Sequence, residues 1–343
     1  MKVLVTGGCG FLGSHVCEYY IHKGWEVISY DNMTKHELMR TGFAAESARL
    51  YNWDYLKSLG VEMVLADVRD LKQLIDYANG CDYIIHTAAQ PAMTISWEDP
   101  ELDITTNIIG TFNVLECARR LRIPVVSCAT IHVYGNKINE TLKESESRYI
   151  REPAGIDENH PTLDGILTPL HASKFAGDLY VRTYIDTYKI DAVSFRLTGI
   201  YGTRQFGGED HGWVANFTIR AITDRPITIF GTGKQVRDII YATDVCRAFD
   251  AFFHTRRSGI YNIGGGVDTS ISLLQCIDIL AELTGRRPDV RFAPDRHGDL
   301  RYFICDTSKA ERELGFKAAI LPKEGIKMLA DWVQDNREIF IGN

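Results

Sequence analysis

The sequence has no Cys-x-x-Cys pair, no run approaching the roughly 20 apolar residues that span a bilayer, and no excess of positive charge. Its 38 Lys and Arg are outnumbered by 45 Asp and Glu, a formal net charge of -7. It therefore lacks the basic surplus with which a general nucleic-acid or membrane-surface binder neutralises phosphate. The eight cysteines (Cys9, Cys17, Cys81, Cys117, Cys128, Cys246, Cys276, Cys305) are scattered through mostly apolar contexts, which fits a reduced, cytoplasmic chain better than a disulfide framework. Only Lys2 precedes the apolar run Val3-Leu4-Val5, and no signal-peptide core follows. His15, His22 and His36 have no cysteines at ligand spacing, and no glycine pattern frames a nucleophilic serine, so neither a metal site nor a hydrolase is expected.

What is present is a chain of 343 residues with 45% hydrophobic content, enough for one large α/β domain and a second, smaller lobe. Short β-branched runs (Lys2 to Val5, Glu26 to Tyr30, Met63 to Leu65, Tyr83 to His86, Val125 to Ser127, Ala192 to Leu197) alternate with helical patterns near 12–23, 70–78, 105–121 and 170–188. Strand, helix, strand repeated in this way predicts parallel pairing and a doubly wound sheet. Residues 33–60 and the polar stretch 136–168 break the rhythm, as either a flap over a site or a surface insertion. Beyond Tyr201 the pattern turns mixed. The expected division is a cofactor domain over 1–200, to which segments near 235–263 return, and a discontinuous mixed α/β substrate lobe over 201–343.

The stretch Thr6-Gly7-Gly8-Cys9-Gly10-Phe11-Leu12-Gly13 directly follows a strand and opens a helix. Gly7 permits the tight turn, Gly10 lets backbone approach a pyrophosphate, and Gly13 allows close packing of helix on strand; the helix N-terminus offers free N–H groups and a favourable dipole. Asp31 closes the next strand, where a carboxylate binds the adenosine ribose hydroxyls and repels a ribose phosphate, favouring NAD over NADP.

With that spacing the chain resembles the extended short-chain dehydrogenase/reductase family, with its Rossmann-like sheet. Further matches follow in order: Asp67-Val68, His86-Thr87-Ala88-Ala89, Asn107-Ile108-Ile109-Gly110-Thr111, Thr130-Ile131-His132-Val133-Tyr134-Gly135, Arg196 to Gly202 and Arg237 to Val245. The later runs, including Arg204-Gln205-Phe206, His211 to Val214 and Gly231 to Asp238, are similar to the nucleotide-sugar epimerase/dehydratase branch, and most to its 2-epimerases of CDP-hexoses. The resemblance implies NAD held by Gly7, Gly10, Phe11, Leu12, Gly13, Asp31, Asn32, Asp67, Val68, Ala88, Ala89, Asn107 and Lys174. It implies a CDP-hexose or related substrate against Gln90, Met93, Thr130, Arg204, Gln205, Phe206, Trp213, Arg237 and Arg301, with Arg296 ranked behind Arg301. It also implies a homodimer through the helices near 105–121 and 170–188.

One match fails. In the family a tyrosine four residues before the active-site lysine moves the sugar hydroxyl proton; here that position before Lys174 is Leu170, which cannot. Thr130 and Lys174 match the family's other catalytic positions. His132 stands where the dehydratase motif Thr-Asp-Glu-Val-Tyr-Gly has its glutamate, and an imidazole suits proton transfer near neutral pH. His171 ranks second, because the residue next to the lost tyrosine on a helix points about 100° away. Cys128, two residues before Thr130, reads as an inert buried thiol. Three functions remain open: epimerisation through a transient keto-sugar with atypical acid/base chemistry, an NAD-dependent dehydratase or oxidoreductase reaction, and non-catalytic binding of NAD or a nucleotide sugar.

Overall fold

A computed structural model describes residues 1–34, 41, 45–296 and 298–341. His36 and His297, and much of the stretch after Met33, lie outside the described residues.

Seven parallel strands form the main sheet: β1 (Lys2–Thr6), β2 (Glu26–Asp31), β3 (Glu62–Leu65), β4 (Tyr83–His86), β5 (Val125–Thr130), β6 (Ala192–Leu197) and β7 (Gly259–Ile263). Their spatial order is β7-β6-β5-β4-β1-β2-β3. Because side chains alternate across a strand, neighbouring residues feed different cores. Val3, Val5, Ile85, Val126 and Val193 enter one, while Leu4, Ile84, Val125 and Ala192 enter the other. Both faces are thus apolar, which is why these strands read as continuous hydrophobic runs rather than alternating ones.

Helix α1 (Phe11–His22) covers the first face, and α3 (Leu71–Ala78) packs with α6 (Gly110–Leu121) on the other. The chain winds outward from β1 through β2 to β3, then returns to β4 beside β1 and winds the opposite way. The carboxyl ends of β1 and β4 therefore flank a topological switch point, the place where open α/β sheets bind ligands.

A smaller sheet is built on Val236–Tyr241, which pairs with Gly199–Tyr201, Ser270–Ser272 and Tyr302–Phe303. Ile227–Phe230 pairs separately with Val290–Ala293. Helix α9 (Ala242–Thr255) and β7 return to the main sheet. No helix among the described residues is long and apolar enough to cross a membrane.

The interval 33–60 is not simply a loop: α2 (Ala45–Ser58) occupies its second half. Asn52 and Leu56, one turn apart, face inward on this helix. Two short helices, α4 (Met93–Glu98) and α5 (Pro100–Asp103), also precede a π-helical turn at Ile104–Ile109 that opens into α6.

Candidate active site

The turn after β1 needs glycine for steric reasons that can be stated atom by atom. Gly7 has φ of 70°, and a Cβ there would lie 2.6 Å from the Ala88 nitrogen; one on Gly13 would lie 2.0 Å from the Gly7 oxygen. Gly10 is the N-cap of α1 and no side chain caps that end. Unsatisfied N–H groups of the first turn therefore open on a cleft walled by Gly7, Gly10, Phe11, Leu12 and Gly13, an arrangement that attracts a phosphate. On one side the cleft narrows between Asp31, Asn32, Val68, Ala88 and Ala89. On the other it widens into a cavity of about 830 Å³.

These residues fit a dinucleotide: uncapped amides at the turn, small side chains opposite, and a carboxylate at the far end. Asp31 is oriented there by N–H groups of Cys9 and Met33, which donate to its two oxygens at 2.9 and 2.7 Å. Asp67 and Asn107, two further residues expected at the cofactor, are engaged by neighbours within the chain. The Asp67 carboxylate accepts from Arg69 and from the Asn32 amide, which holds it near 2 despite burial and engages both partners with each other. Asn107 does not reach the cleft wall. Its carbonyl oxygen accepts from Gln90 N–H at 2.9 Å, and its amide donates to Gln90 O, Asp103 and Ser173, so it fastens the loop after β4. Gln90 in turn donates to Asp103 and lines the narrow limb of the cleft.

The wide cavity is bounded by Thr130, Ile131 and His132 at the end of β5, by Met93, Thr94 and Trp97 of α4, and by Trp213 at the start of α8 (Trp213–Ile222). Thr130 caps a single 3-10 turn, Ile131–Tyr134, its hydroxyl oxygen accepting from His132 N–H at 3.3 Å. His132 is half-buried, and its Nδ1 has no hydrogen-bond partner among the described residues. Burial, then His171 and Arg237, lower its pKa from 6.5 to about 3, so the ring is neutral at pH 7.

Leu170 and Lys174 lie behind this wall, on α7 (Pro169–Tyr188). Leu170 is buried and does not line the cavity. The Lys174 ammonium donates to Cys128 O at 2.7 Å, and burial lowers its pKa. The Cys128 thiol is pushed up to about 12 by burial, which leaves it protonated and unreactive.

Of the expected arginines, Arg237 lines the cavity, held by the carbonyl oxygens of Val236 and Leu300 and by Asp299 at 3.7 Å. Arg301 does not; it is half exposed and paired with Asp295. Arg296 takes its place on the wall, its guanidinium stacked 3.8 Å from the Phe230 ring centroid and donating to Glu209 O. Arg204 reaches the wall, yet its guanidinium is engaged by Glu18 at 2.5 Å and lies over the Tyr55 ring. Gln205 and Phe206 also line the cavity, Phe206 with its ring packed against Tyr51, Trp332 and Phe340.

Asn52 belongs to no motif in the sequence. From α2 it donates to the carbonyl oxygens of Cys9 and Gly10 and so braces the glycine turn. Buried Asp103, which joins Gln90 and Asn107, was also unforeseen, because it sits in a short helix with no recognisable motif.

The model of the NAD dependent epimerase/dehydratase family matches residues 3–264. CDP-paratose 2-epimerase of Salmonella typhi is 33% identical over 97% of this chain and 99% of its own length. Among solved structures, the UDP-glucose 4-epimerase of Thermus thermophilus in complex with NAD is 30% identical, with a TM-score of 0.78 over 97% of this chain and 98% of that one. The UDP-glucose 4-epimerase of Thermotoga maritima with UDP-glucose is 26% identical, with a TM-score of 0.81 over 98% of this chain and all of that one.

Proposed function

Because the chain belongs to the NAD dependent epimerase/dehydratase family, we propose that it is an NAD-dependent enzyme that epimerises a nucleotide-diphosphate hexose, with His132 in the place of the missing phenol. The observation that carries this reading is the continuity of one cleft. It runs from Asp31 past the glycine turn and opens into the wide cavity where Thr130 and His132 stand.

In this reading residues 1–200, with segments near 235–263, hold the cofactor, and 201–343 contribute most of the substrate lobe. Gly7, Gly10, Phe11, Leu12, Gly13, Asp31, Ala88 and Ala89 would hold NAD, which when bound supplies reversible removal of hydride from a sugar carbon. The substrate is a nucleotide sugar, and we favour a CDP-hexose because of the relative that acts on CDP-paratose. Arg237 and Arg296 meet its diphosphate, since planar guanidinium forks match phosphate oxygens. Neutral His132 accepts the proton of the sugar hydroxyl and later returns it, and the Thr130 hydroxyl orients that oxygen. Burial keeps the imidazole's lone pair free, at the cost of basicity.

The homodimer belongs to the same proposal. Ile109, Phe112, Leu179, Tyr180 and Tyr188 are exposed on the π-helical turn, α6 and α7, and the Phe112 and Tyr180 rings are 6.4 Å apart across the two helices. An apolar face of that kind on paired helices is what an isologous contact buries.

A non-catalytic binding protein is the second reading, favoured by the Lys174 ammonium being turned to Cys128 rather than the cleft. Incubating purified protein with CDP-paratose and with UDP-glucose in deuterated buffer, and following product by NMR, separates the two. Inversion at one sugar carbon supports the enzyme; unchanged sugars with saturable binding support the alternative.

A further inference from the structure

His132 carries the proton in the proposed reaction, but its own 3-10 turn gives the ring little to hold it. The Thr130 hydroxyl fixes the His132 backbone, and the ring nitrogen Nδ1 has no partner among the described residues. The neighbour that meets the ring is another imidazole. His171 stands edge to face against His132, ring centroids 5.5 Å apart and planes at 86°.

His171 is rigid for reasons internal to α7. Its Nδ1 accepts the backbone N–H of Thr168 at 3.0 Å and lies 2.7 Å from the Thr168 hydroxyl, closing the reciprocal cap of a 20-residue helix. An Nδ1 that accepts an N–H carries no proton, so the neutral ring is fixed as the Nε2–H tautomer. Protonating Nδ1 would set two N–H groups against each other and open the cap. His171 is also buried and does not line the cavity, so it touches no ligand.

We propose that His171 is a positioning residue, a capped imidazole that fixes the ring of His132 toward the cavity. This rests on the reading of His132 as the proton-transfer group. Of the charged side chains, Arg237 from the smaller sheet acts on the His132 ring, while Arg296, Asp299, Glu209 and Asp210 stand on the walls of the same cavity. None of them is a ring that sets its plane.

Two variants of the full chain separate the cap from the ring contact. His171→Gln keeps a side chain able to accept the Thr168 N–H at this helix position, but has no ring. His171→Phe keeps a ring and loses the cap. The measurements are the 1H–13C signal of the His132 ring, thermal unfolding, and turnover of CDP-paratose. His171→Gln is expected to melt close to the wild type while its His132 signal moves or broadens and kcat falls about 10- to 100-fold at little-changed KM, the scale of a misplaced reacting group. His171→Phe, whose ring remains but is no longer tied to Thr168, is expected to melt earlier and to give a His132 signal and kcat between those of the wild type and His171→Gln. An unmoved His132 signal in His171→Gln overturns the proposal. If His132→Ala turns over normally while His171→Gln still moves the His132 signal, His171 does orient the ring and it is the acid/base role of His132 that fails.

Discussion

Lys174 donates a hydrogen bond to the carbonyl oxygen of Cys128 at 2.7 Å, tying α7 to the end of β5. Leu170, one turn before Lys174, is buried, and the cavity wall is lined by Thr130, Ile131 and His132 instead. Position 170 thus belongs to the interior rather than to the cavity lining.

Leu170→Tyr should not recreate the family's chemistry. Leu170 is buried, and inserting a larger ring at a buried position costs about 1–3 kcal/mol through strain. Urea unfolding should show that loss, with no gain in turnover of CDP-paratose. A variant as stable as the wild type and faster would mean that the cavity still accommodates a phenol.

Arg296 and Arg301 should differ sharply in nucleotide binding. Arg296 lines the cavity, and a charged hydrogen bond to phosphate is worth about 1.5–3 kcal/mol, so Arg296→Ala should weaken UDP-glucose or CDP-paratose binding by roughly tenfold or more in calorimetry. The exposed Arg301–Asp295 pair is worth about 0–1 kcal/mol, and Arg301→Ala should bind within about twofold of the wild type. The reverse ranking would return the diphosphate to Arg301.

Stability should fall as the solution is acidified below the ordinary histidine range. Burial, and secondarily Lys174, lower the pKa of His86 from 6.5 to about 3. Between those values the unfolded chain binds a proton that the folded chain refuses, so this contribution is whole above pH 6.5 and is lost as pH falls toward 3. One such proton changes stability by about 1.4 kcal/mol per pH unit. His15 and His132 are lowered to about 3 as well and add in the same direction. In His86→Gln, which removes one titrating ring between the Thr6 and Thr111 hydroxyls, the urea midpoint should drop less steeply with acid. Equal slopes in the two proteins would show that His86 titrates normally when folded.

Leu179 is exposed beside Tyr180 on α7. If this face pairs two copies, the wild type should sediment as a dimer and Leu179→Glu should shift it toward monomer without loss of helical content. A monomeric wild type would remove the dimer from the proposal.

Much of this arrangement is legible from residue order. The glycines at 7, 10 and 13 and the aspartate at 31 line one cleft, as their spacing suggests, and the predicted strands agree with β1 to β6 within a few residues, because runs buried on both faces carry a strong apolar signal. Helix α2 was illegible because its inward face includes a polar residue, Asn52, whose partners are carbonyl oxygens of the glycine turn. The choice between Arg296 and Arg301 was equally hidden. Spacing in a loop does not say which guanidinium stacks on Phe230 and which pairs with Asp295. Nor does a Thr-x-x-His pattern announce a capping box in the way that Thr-x-x-Glu does, so the second role of His171 emerges only from Nδ1 accepting the Thr168 N–H.

In the proposed reaction, proton transfer passes through His132. Rapid mixing of NAD-loaded wild type and His132→Ala with CDP-paratose and with UDP-glucose, following the near-ultraviolet band of the reduced cofactor, tests it most directly. A transient band is expected in the wild type with at least one of the two sugars, and a rate about 10²- to 10⁴-fold lower in His132→Ala, the usual contribution of a general base. Equal traces from the two proteins, or no transient with either sugar, would contradict it.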